Sequence, residues 1–141
     1  MSEPITRFRG DYFFLSNFYP CKISYQGCNY PSAEHAYQAS KTLVHVERLL
    51  ILNASRPALA KSLGRHISLR LDWEEVKVPT MREILRVKFS RSSPLSSKLI
   101  STGNRELIES NTWGDNFWGM HDERGENHLG RLLMEIRDSL R

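Results

Sequence analysis

The spacing of apolar residues predicts several amphipathic helices. The clearest begins at about His128, and its apolar positions recur every three or four residues. They form one stripe, which comprises Leu129, Leu132, Leu133, Ile136 and Leu140. Thr80 and Glu83 have the spacing of a capping box and predict the start of another helix. Asp72 can cap the preceding turn, and we expect Pro79 to separate that turn from the helix.

A hairpin and a helix are predicted in the first third of the chain. Residues 22–25 and 28–30 flank a Gln-Gly turn, in which Gly27 can supply a positive φ. Ser32 is a good N-cap for a helix that we expect to reach about Val44. The surrounding residues 12–30 have no helical period.

Further elements follow from prolines, glycines and short apolar runs. Residues 46–54 form an apolar stretch, Pro57 and Gly64 are expected to begin and close a helix, and Pro94 can start another. Two other segments are interpreted differently: 106–109 as a short strand and 111–128 as a loop. The pattern therefore predicts a helix-rich α+β fold with a small antiparallel sheet, in a single domain over residues 1–141.

Composition and charge narrow the class of protein. The chain has 141 residues and 40% hydrophobic content, close to the globular average. Its longest apolar run is residues 49–52, and its first residues do not resemble a secretion signal, so we expect a soluble cytoplasmic protein without a membrane partner. Twenty basic and 16 acidic residues give a net charge of +4. This sign favours an anionic partner, and a small phosphorylated ligand explains it as well as nucleic acid does.

The cysteines and histidines suggest neither a disulfide nor a metal centre. Cys21 and Cys28 could face each other across the hairpin, but reduced thiols are the expected state in a chain without a secretion signal. The five histidines are dispersed and form no zinc-ligand spacing with these cysteines. We therefore expect no metal and no cofactor.

Three segments carry more polar and aromatic chemistry than a core requires. In residues 14–20, Asn17 lies among aromatic residues, which suits either a packed edge or a nucleobase site. In residues 30–41, helical spacing puts Glu34, Gln38 and Lys41 on one face, which is either a solvated face or a site. The nearby alanines would let a ligand or another segment approach closely.

The third segment combines tryptophan with glycine. Gly114 follows Trp113, an arrangement that permits bare backbone beside a stacked ring. Asn127 precedes the last helix, where it could be an ordinary N-cap or help bind an anion.

Several blocks together resemble the signature of the YbiA-like, or NADAR, family, in order and spacing, over roughly residues 8–137. These blocks are Leu15-Ser16-Asn17-Phe18, residues 30–39 with Lys41, Asp72-Trp73 with Val76-Lys77, Met81 with Leu85 and Lys88-Phe89, Trp113-Gly114, and Asn127 with Leu129-Gly130 and Leu132-Leu133-Met134. The resemblance implies an N-glycosidase that cleaves a base–ribose bond. The family's described substrates include phosphorylated ribosylamino-pyrimidine intermediates of riboflavin synthesis, and some relatives are linked to ADP-ribose, including its removal from guanine in nucleic acid.

The resemblance also implies roles for individual residues. Glu34 matches the family's catalytic glutamate, and Trp73 and Trp113 match its two functional tryptophans. The family has an acidic residue just before the Trp-Gly pair, where an ungapped match places Ser110. Asp115 or Glu109 substitutes for it, or the protein functions without it.

The predicted site therefore contains Glu34 and Asp115 as catalytic residues. Its substrate-binding residues are predicted to be Asn17, Tyr37, Lys41, Trp73, Lys88, Trp113 and Asn127. The predicted reaction is hydrolysis of the N-glycosidic bond of a phosphorylated N-riboside. The alternatives are an ADP-ribosyl-guanine hydrolase acting on nucleic acid and a module that binds ADP-ribose or a nucleotide without turnover.

Overall fold

The computed structural model describes residues 2–141, which form two compact units. One unit comprises residues 2–16 and Phe89–Arg141, and the other comprises Asn17–Lys88. Helices dominate both units, and the described residues contain one two-stranded antiparallel sheet. The predicted α+β class is confirmed, whereas the single domain stays a prediction. No helix among residues 2–141 combines the length and apolar character needed to cross a membrane.

The unit Asn17–Lys88 is built around one short buried helix. Its elements are β1 (Pro20–Tyr25), β2 (Cys28–Ser32), α1 (Ala33–Ala39), α2 (His45–Leu52), α3 (Pro57–Leu63) and α4 (Trp73–Lys88). Helix α1 contacts the hairpin and each of the other three helices, and all seven of its residues are buried. Its alanines permit this crowding because a methyl group lets neighbouring backbones approach closely.

The hairpin forms where the sequence predicts it. Ile23 pairs with Tyr30, and the two turn residues Gln26 and Gly27 have φ values of 48° and 81°. Two positive φ values give a turn whose twist matches that of the strands. Cys28 lies opposite Tyr25 rather than opposite Cys21, and both cysteines are free thiols. The suggested cross-hairpin pairing of the cysteines is therefore wrong.

Helix α1 is shorter than predicted. It ends at Ala39 rather than near Val44. The Ser40 hydroxyl donates to the Ala36 carbonyl at 2.7 Å, and the Thr42 backbone N–H donates to the Ala39 carbonyl at 3.4 Å. These contacts tighten the last turn and satisfy carbonyl groups at the helix end, as serine and threonine commonly do.

Helix α4 is continuous through Pro79, so the predicted break is wrong. Proline removes one backbone donor, but its fixed φ remains compatible with a helix. The face buried in this unit extends on both sides of the proline, from Trp73 to Met81 and Leu85. Burial of that face stabilises the whole helix against the local cost of Pro79.

The unit of residues 2–16 and Phe89–Arg141 contains a 3₁₀ helix (Gly10–Leu15), α5 (Leu95–Ser101) and α6 (His128–Leu140). The 3₁₀ helix corrects the prediction that residues 12–30 are entirely non-helical. Residues 106–109 form no extended strand, because their pairing is limited to one bridge between Ile5 and Leu107. Helices α5 and α6 lie where predicted and contact each other. The loop predicted before α6 is also confirmed.

Candidate active site

Glu34 lies in the first turn of the buried helix α1. The hydroxyl of Ser32 accepts a hydrogen bond from the His35 backbone N–H at 3.1 Å and caps the helix, as predicted. Glu34 is only 7% exposed. A carboxylate near a helix N-terminus is favoured by the helix dipole, which offsets part of the cost of its burial.

His35 is held in place by both ring nitrogens. Nε2 donates to the Ala54 carbonyl at 3.0 Å, and Nδ1 lies 2.6 Å from the Ser32 hydroxyl. Burial lowers the pKa of His35 below its usual value, and the bond to Ala54 opposes that shift. The ring therefore anchors α1, which makes His35 a structural residue.

Asn17 is joined directly to the Glu34 position. Its backbone carbonyl accepts the Glu34 backbone N–H at 3.0 Å, and its side-chain Nδ2 lies 3.5 Å from Met81 Sδ. Its Oδ1 atom is buried and has no hydrogen-bond partner among residues 2–141. A buried amide oxygen without a donor is uncommon and suits a ligand that carries an N–H or O–H group.

Tyr37 and Trp73 form an aromatic pair in the same unit. Their ring centroids are 5.3 Å apart with the planes inclined by 57°, and both residues are buried. Lys41 Nζ lies 5.4 Å from the Tyr37 centroid, within reach of a cation–π interaction. The structure thus brings together three predicted substrate-binding residues.

Lys41 lies in an electropositive environment that also contains Glu34. Burial lowers its pKa from the usual value, the charge of Glu34 raises it, and three further cations lower it. Those cations are Lys61, Arg65 and Lys77. Such a concentration of positive charge is suited to a phosphorylated ligand.

Lys88, at the end of α4, is almost completely buried, with 2% exposure. Burial lowers its pKa to about 8, and the charge of Cys21 opposes that change. Its Nζ lies 5.8 Å from the Tyr19 ring centroid. A contact between Lys88 and phosphate stays a prediction.

In the other unit, Trp113 lies in the polar loop before α6 and is more exposed than Trp118 of the same loop. Its side chain is 55% exposed, and Gly114 follows it with a φ of 84°. Residues with a side chain adopt a φ of this sign only with backbone strain, so glycine at position 114 permits the turn that follows Trp113. More than half of Trp113 is exposed to solvent, and its role in stacking on a ligand stays a prediction.

Asp115 and Glu109 each make local contacts in this loop. Asp115 Oδ1 accepts the backbone N–H groups of Phe117 at 3.1 Å and Trp118 at 3.0 Å. Glu109 Oε2 accepts from Asn111 Nδ2 at 3.3 Å. These contacts shape the loop, and the catalytic assignment of Asp115 stays a prediction.

Asn127 uses its side chain to organise the backbone. Nδ2 donates to the Leu107 carbonyl at 2.9 Å, and Oδ1 accepts the Glu109 N–H at 3.0 Å. Asn127 precedes α6 in the left-handed region, with a φ of 50°. Its side chain makes no capping bond to α6 and instead joins the start of the helix to residues 107 and 109. The backbone N–H groups of residues 127–129 donate to the carbonyls of residues 117–119, so the structure does not favour an anion contact there, and that contact stays a prediction.

Residues missed by the sequence analysis include Gln38 and Asn111. Helical spacing puts Gln38 on the same face as Glu34 but does not decide whether that face is solvated, and both residues are buried. Gln38 Nε2 donates to Glu34 Oε2 at 2.6 Å. Asn111 Nδ2 donates to the Asp115 carbonyl, and Asn111 Oδ1 accepts the Asp115 backbone N–H. No sequence pattern predicts these two bonds. Among residues 2–141, no cluster of three or more His, Cys, Asp or Glu side chains could hold a metal ion.

Comparisons with known proteins match nearly the whole chain. It is 41% identical to the riboflavin biosynthesis protein VVA0006 of Vibrio vulnificus, covering 99% of this chain but 39% of that protein. It is 40% identical to N-glycosidase YbiA of Escherichia coli, covering 92% of this chain and 82% of that protein. The NMR structure of the E. coli protein YbiA superposes with a TM-score of 0.85 at 36% identity, covering 99% of this chain and 86% of that one.

The family model described as the NADAR domain matches residues 6–141. That range includes Glu34 together with every other residue of the predicted site. The match agrees with the resemblance drawn from the sequence blocks. This chain belongs to the NADAR domain family.

Proposed function

We propose that this chain is an N-glycosidase that hydrolyses the base–ribose bond of a phosphorylated N-riboside. The names of its relatives support N-glycosidase activity, and one of them is named a riboflavin biosynthesis protein. The substrate we propose is a ribosylamino-pyrimidine phosphate of that pathway. The observation that carries the proposal is Glu34, a buried carboxylate oriented by Gln38 in the unit that also contains the Tyr37–Trp73 pair.

Glu34 supplies what the reaction needs at the sugar. Cleavage of an N-glycosidic bond passes through an oxocarbenium-like transition state, which nearby negative charge stabilises. The carboxylate can also accept a proton from the attacking water as the C–N bond breaks. The base then leaves with a proton, and the water oxygen becomes the new hydroxyl group of the ribose.

The other residues bind and orient the substrate in this proposal. Tyr37 and Trp73 provide aromatic surface for the base or the ribose, and the stacking role of Trp113, which lies in the other unit, stays a prediction. Lys41 contacts the phosphate, because positive charge is concentrated around its amine. The unpartnered Oδ1 of Asn17 accepts a hydrogen bond from an amino or hydroxyl group of the substrate.

A product screen tests the proposal. The purified chain is incubated with a ribosylamino-pyrimidine phosphate, and mass spectrometry measures free base and ribose phosphate. We expect both products from the phosphorylated riboside. Release of ADP-ribose from an oligonucleotide containing ADP-ribosylated guanine, with no hydrolysis of the riboside phosphate, would replace the proposed substrate with that alternative.

A binding module is the second candidate. The contacts of Asp115 with two backbone N–H groups favour it, since they give this carboxylate a structural task in its loop. Tight binding of ADP-ribose, with no hydrolysis of either substrate, would support this candidate and contradict the proposed hydrolysis.

A further inference from the structure

Gln38 is oriented by two neighbours, Glu34 and Gly64. Its Nε2 donates to Glu34 Oε2 at 2.6 Å, a short bond of the charge-assisted kind. The opposite orientation of the amide would place its oxygen against the carboxylate, bringing two acceptors together. The bond therefore fixes which end of Gln38 faces Glu34.

The side-chain oxygen of Gln38 is buried and accepts no hydrogen bond from the described residues. Oε1 has no hydrogen-bond partner among residues 2–141, and the residue is 4% exposed. Native proteins rarely leave a buried polar atom unpaired, and such atoms call for an explanation. Here the unpaired oxygen is the consequence of keeping the N–H group on Glu34.

Gly64 provides the space that this arrangement requires. A Cβ atom at position 64 would collide with Gln38 Oε1 and lie 2.7 Å from Gln38 Cδ. The φ of Gly64 is −61°, which any residue adopts readily, so backbone conformation does not require glycine here. The absence of a side chain at position 64 instead leaves room for the Gln38 amide.

We infer that Gln38 is a positioning residue that holds the Glu34 carboxylate in its reactive orientation, and that Gly64 keeps Gln38 in place. The inference rests on the proposed role of Glu34 in hydrolysis. Gln38 acts through Glu34, so its loss affects the chemical step more than substrate affinity. A buried carboxylate that rotates away from the sugar loses its effect on the transition state, because catalysis depends strongly on orientation.

Three variants test the inference by kinetics: Gln38→Ala, Gly64→Ala and the double variant. Each single substitution should lower kcat by about 10- to 100-fold, with KM changed less than about threefold. In the Gln38→Ala background the new methyl group has room, so adding Gly64→Ala should change kcat by less than about twofold. Losses that multiply in the double variant, or single variants with normal kcat, would overturn the inference.

An NMR measurement decides the same point without turnover. The side-chain amide resonances of Gln38, identified by their absence in Gln38→Ala, should shift markedly in both Glu34→Ala and Gly64→Ala. Amide resonances that change in neither variant would overturn the positioning role even in an active enzyme. Failure of the unaltered protein to release base would instead contradict the proposed function, and the amide resonances would still decide whether Gly64 holds Gln38 on Glu34.

Discussion

The backbone N–H of Glu34 donates to the backbone carbonyl of Asn17 at 3.0 Å. This single bond connects two segments that the sequence marks separately, residues 14–20 and 30–41. Asn17 therefore binds the start of α1 through its backbone carbonyl, while its buried side-chain oxygen has no hydrogen-bond partner among residues 2–141. The proposed substrate contact and the proposed catalytic carboxylate therefore depend on the same local structure.

Trp113→Ala should weaken ligand binding and leave folding nearly unchanged. Trp113 is 55% exposed, so its truncation should cost little folding stability, whereas loss of a base–aromatic stack costs about 1–3 kcal/mol of binding free energy. Titration with the riboside phosphate measures the affinity, and a thermal melt measures the stability.

Trp73→Ala is the contrasting variant. Trp73 is 5% exposed, so its truncation should lower the free energy of unfolding by about 3–5 kcal/mol. A Trp113→Ala protein with normal affinity and a similarly large loss of stability would show that Trp113 serves the fold and not the ligand.

Lys41→Met should reduce activity on the phosphorylated riboside more than on the same riboside without phosphate. A charge-assisted contact is lost only where the phosphate is present, which corresponds to about 10-fold or more in kcat/KM. Lys22→Met, at an exposed position of β1, is the matched control and should affect neither substrate. Equal losses on both substrates in Lys41→Met would contradict the phosphate contact.

Lys88→Met should stabilise the protein at neutral pH. Burial lowers the pKa of Lys88 from 10.5 to about 8, so the folded state holds its proton less tightly than the unfolded chain. The buried charge therefore lowers the free energy of unfolding by about 3 kcal/mol below pH 8, and this loss of stability declines as the pH rises from 8 towards 10.5. Replacement by an apolar side chain of similar length removes this cost.

Urea unfolding of both proteins at several pH values between 7 and 10 measures the effect of Lys88. The stability advantage of Lys88→Met should shrink as the pH rises. A variant that is less stable than the parent at every pH would show that contacts of the Lys88 side chain outweigh the cost of burying its charge.

The sequence predicts local elements well where the deciding residues are adjacent. The Gln26-Gly27 turn, the Ser32 cap and the stripe of α6 all depend on nearby residues, and all three are confirmed. The predicted end of α1 near Val44 and the predicted break at Pro79 are wrong, since α1 ends at Ala39 and α4 is continuous. Helix α4 continues through Pro79 because burial of its long apolar face stabilises it, and that burial depends on segments distant in the sequence.

The site could be predicted only in part for the same reason. Glu34 follows from its motif, and its helical spacing to Gln38 is visible in the sequence. The burial of the helix face that carries them cannot be predicted from α1 alone, because the segments that cover it come from the hairpin and three other helices. The proximity of Gly64 to Gln38 is likewise a tertiary contact, between residues of α1 and the end of α3.

Single-turnover kinetics of Glu34→Gln test whether the Glu34 carboxylate drives the hydrolysis. The substitution keeps the shape of the side chain and removes its negative charge and basicity. Base release should slow by about 10²- to 10⁴-fold, the range expected of a positioned acid–base group. Substrate affinity should change much less, since the positive charge on the sugar develops mainly in the transition state.

The measurement uses excess enzyme, the riboside phosphate and free base as the readout, with a binding titration and a thermal melt on the same samples. Glu75→Gln, at an exposed position of α4, is the matched control and should release base at the parent rate. We expect a folded Glu34→Gln protein that binds substrate and releases base at least about 100-fold more slowly than the parent. Near-parental base release by that folded variant would contradict this expectation.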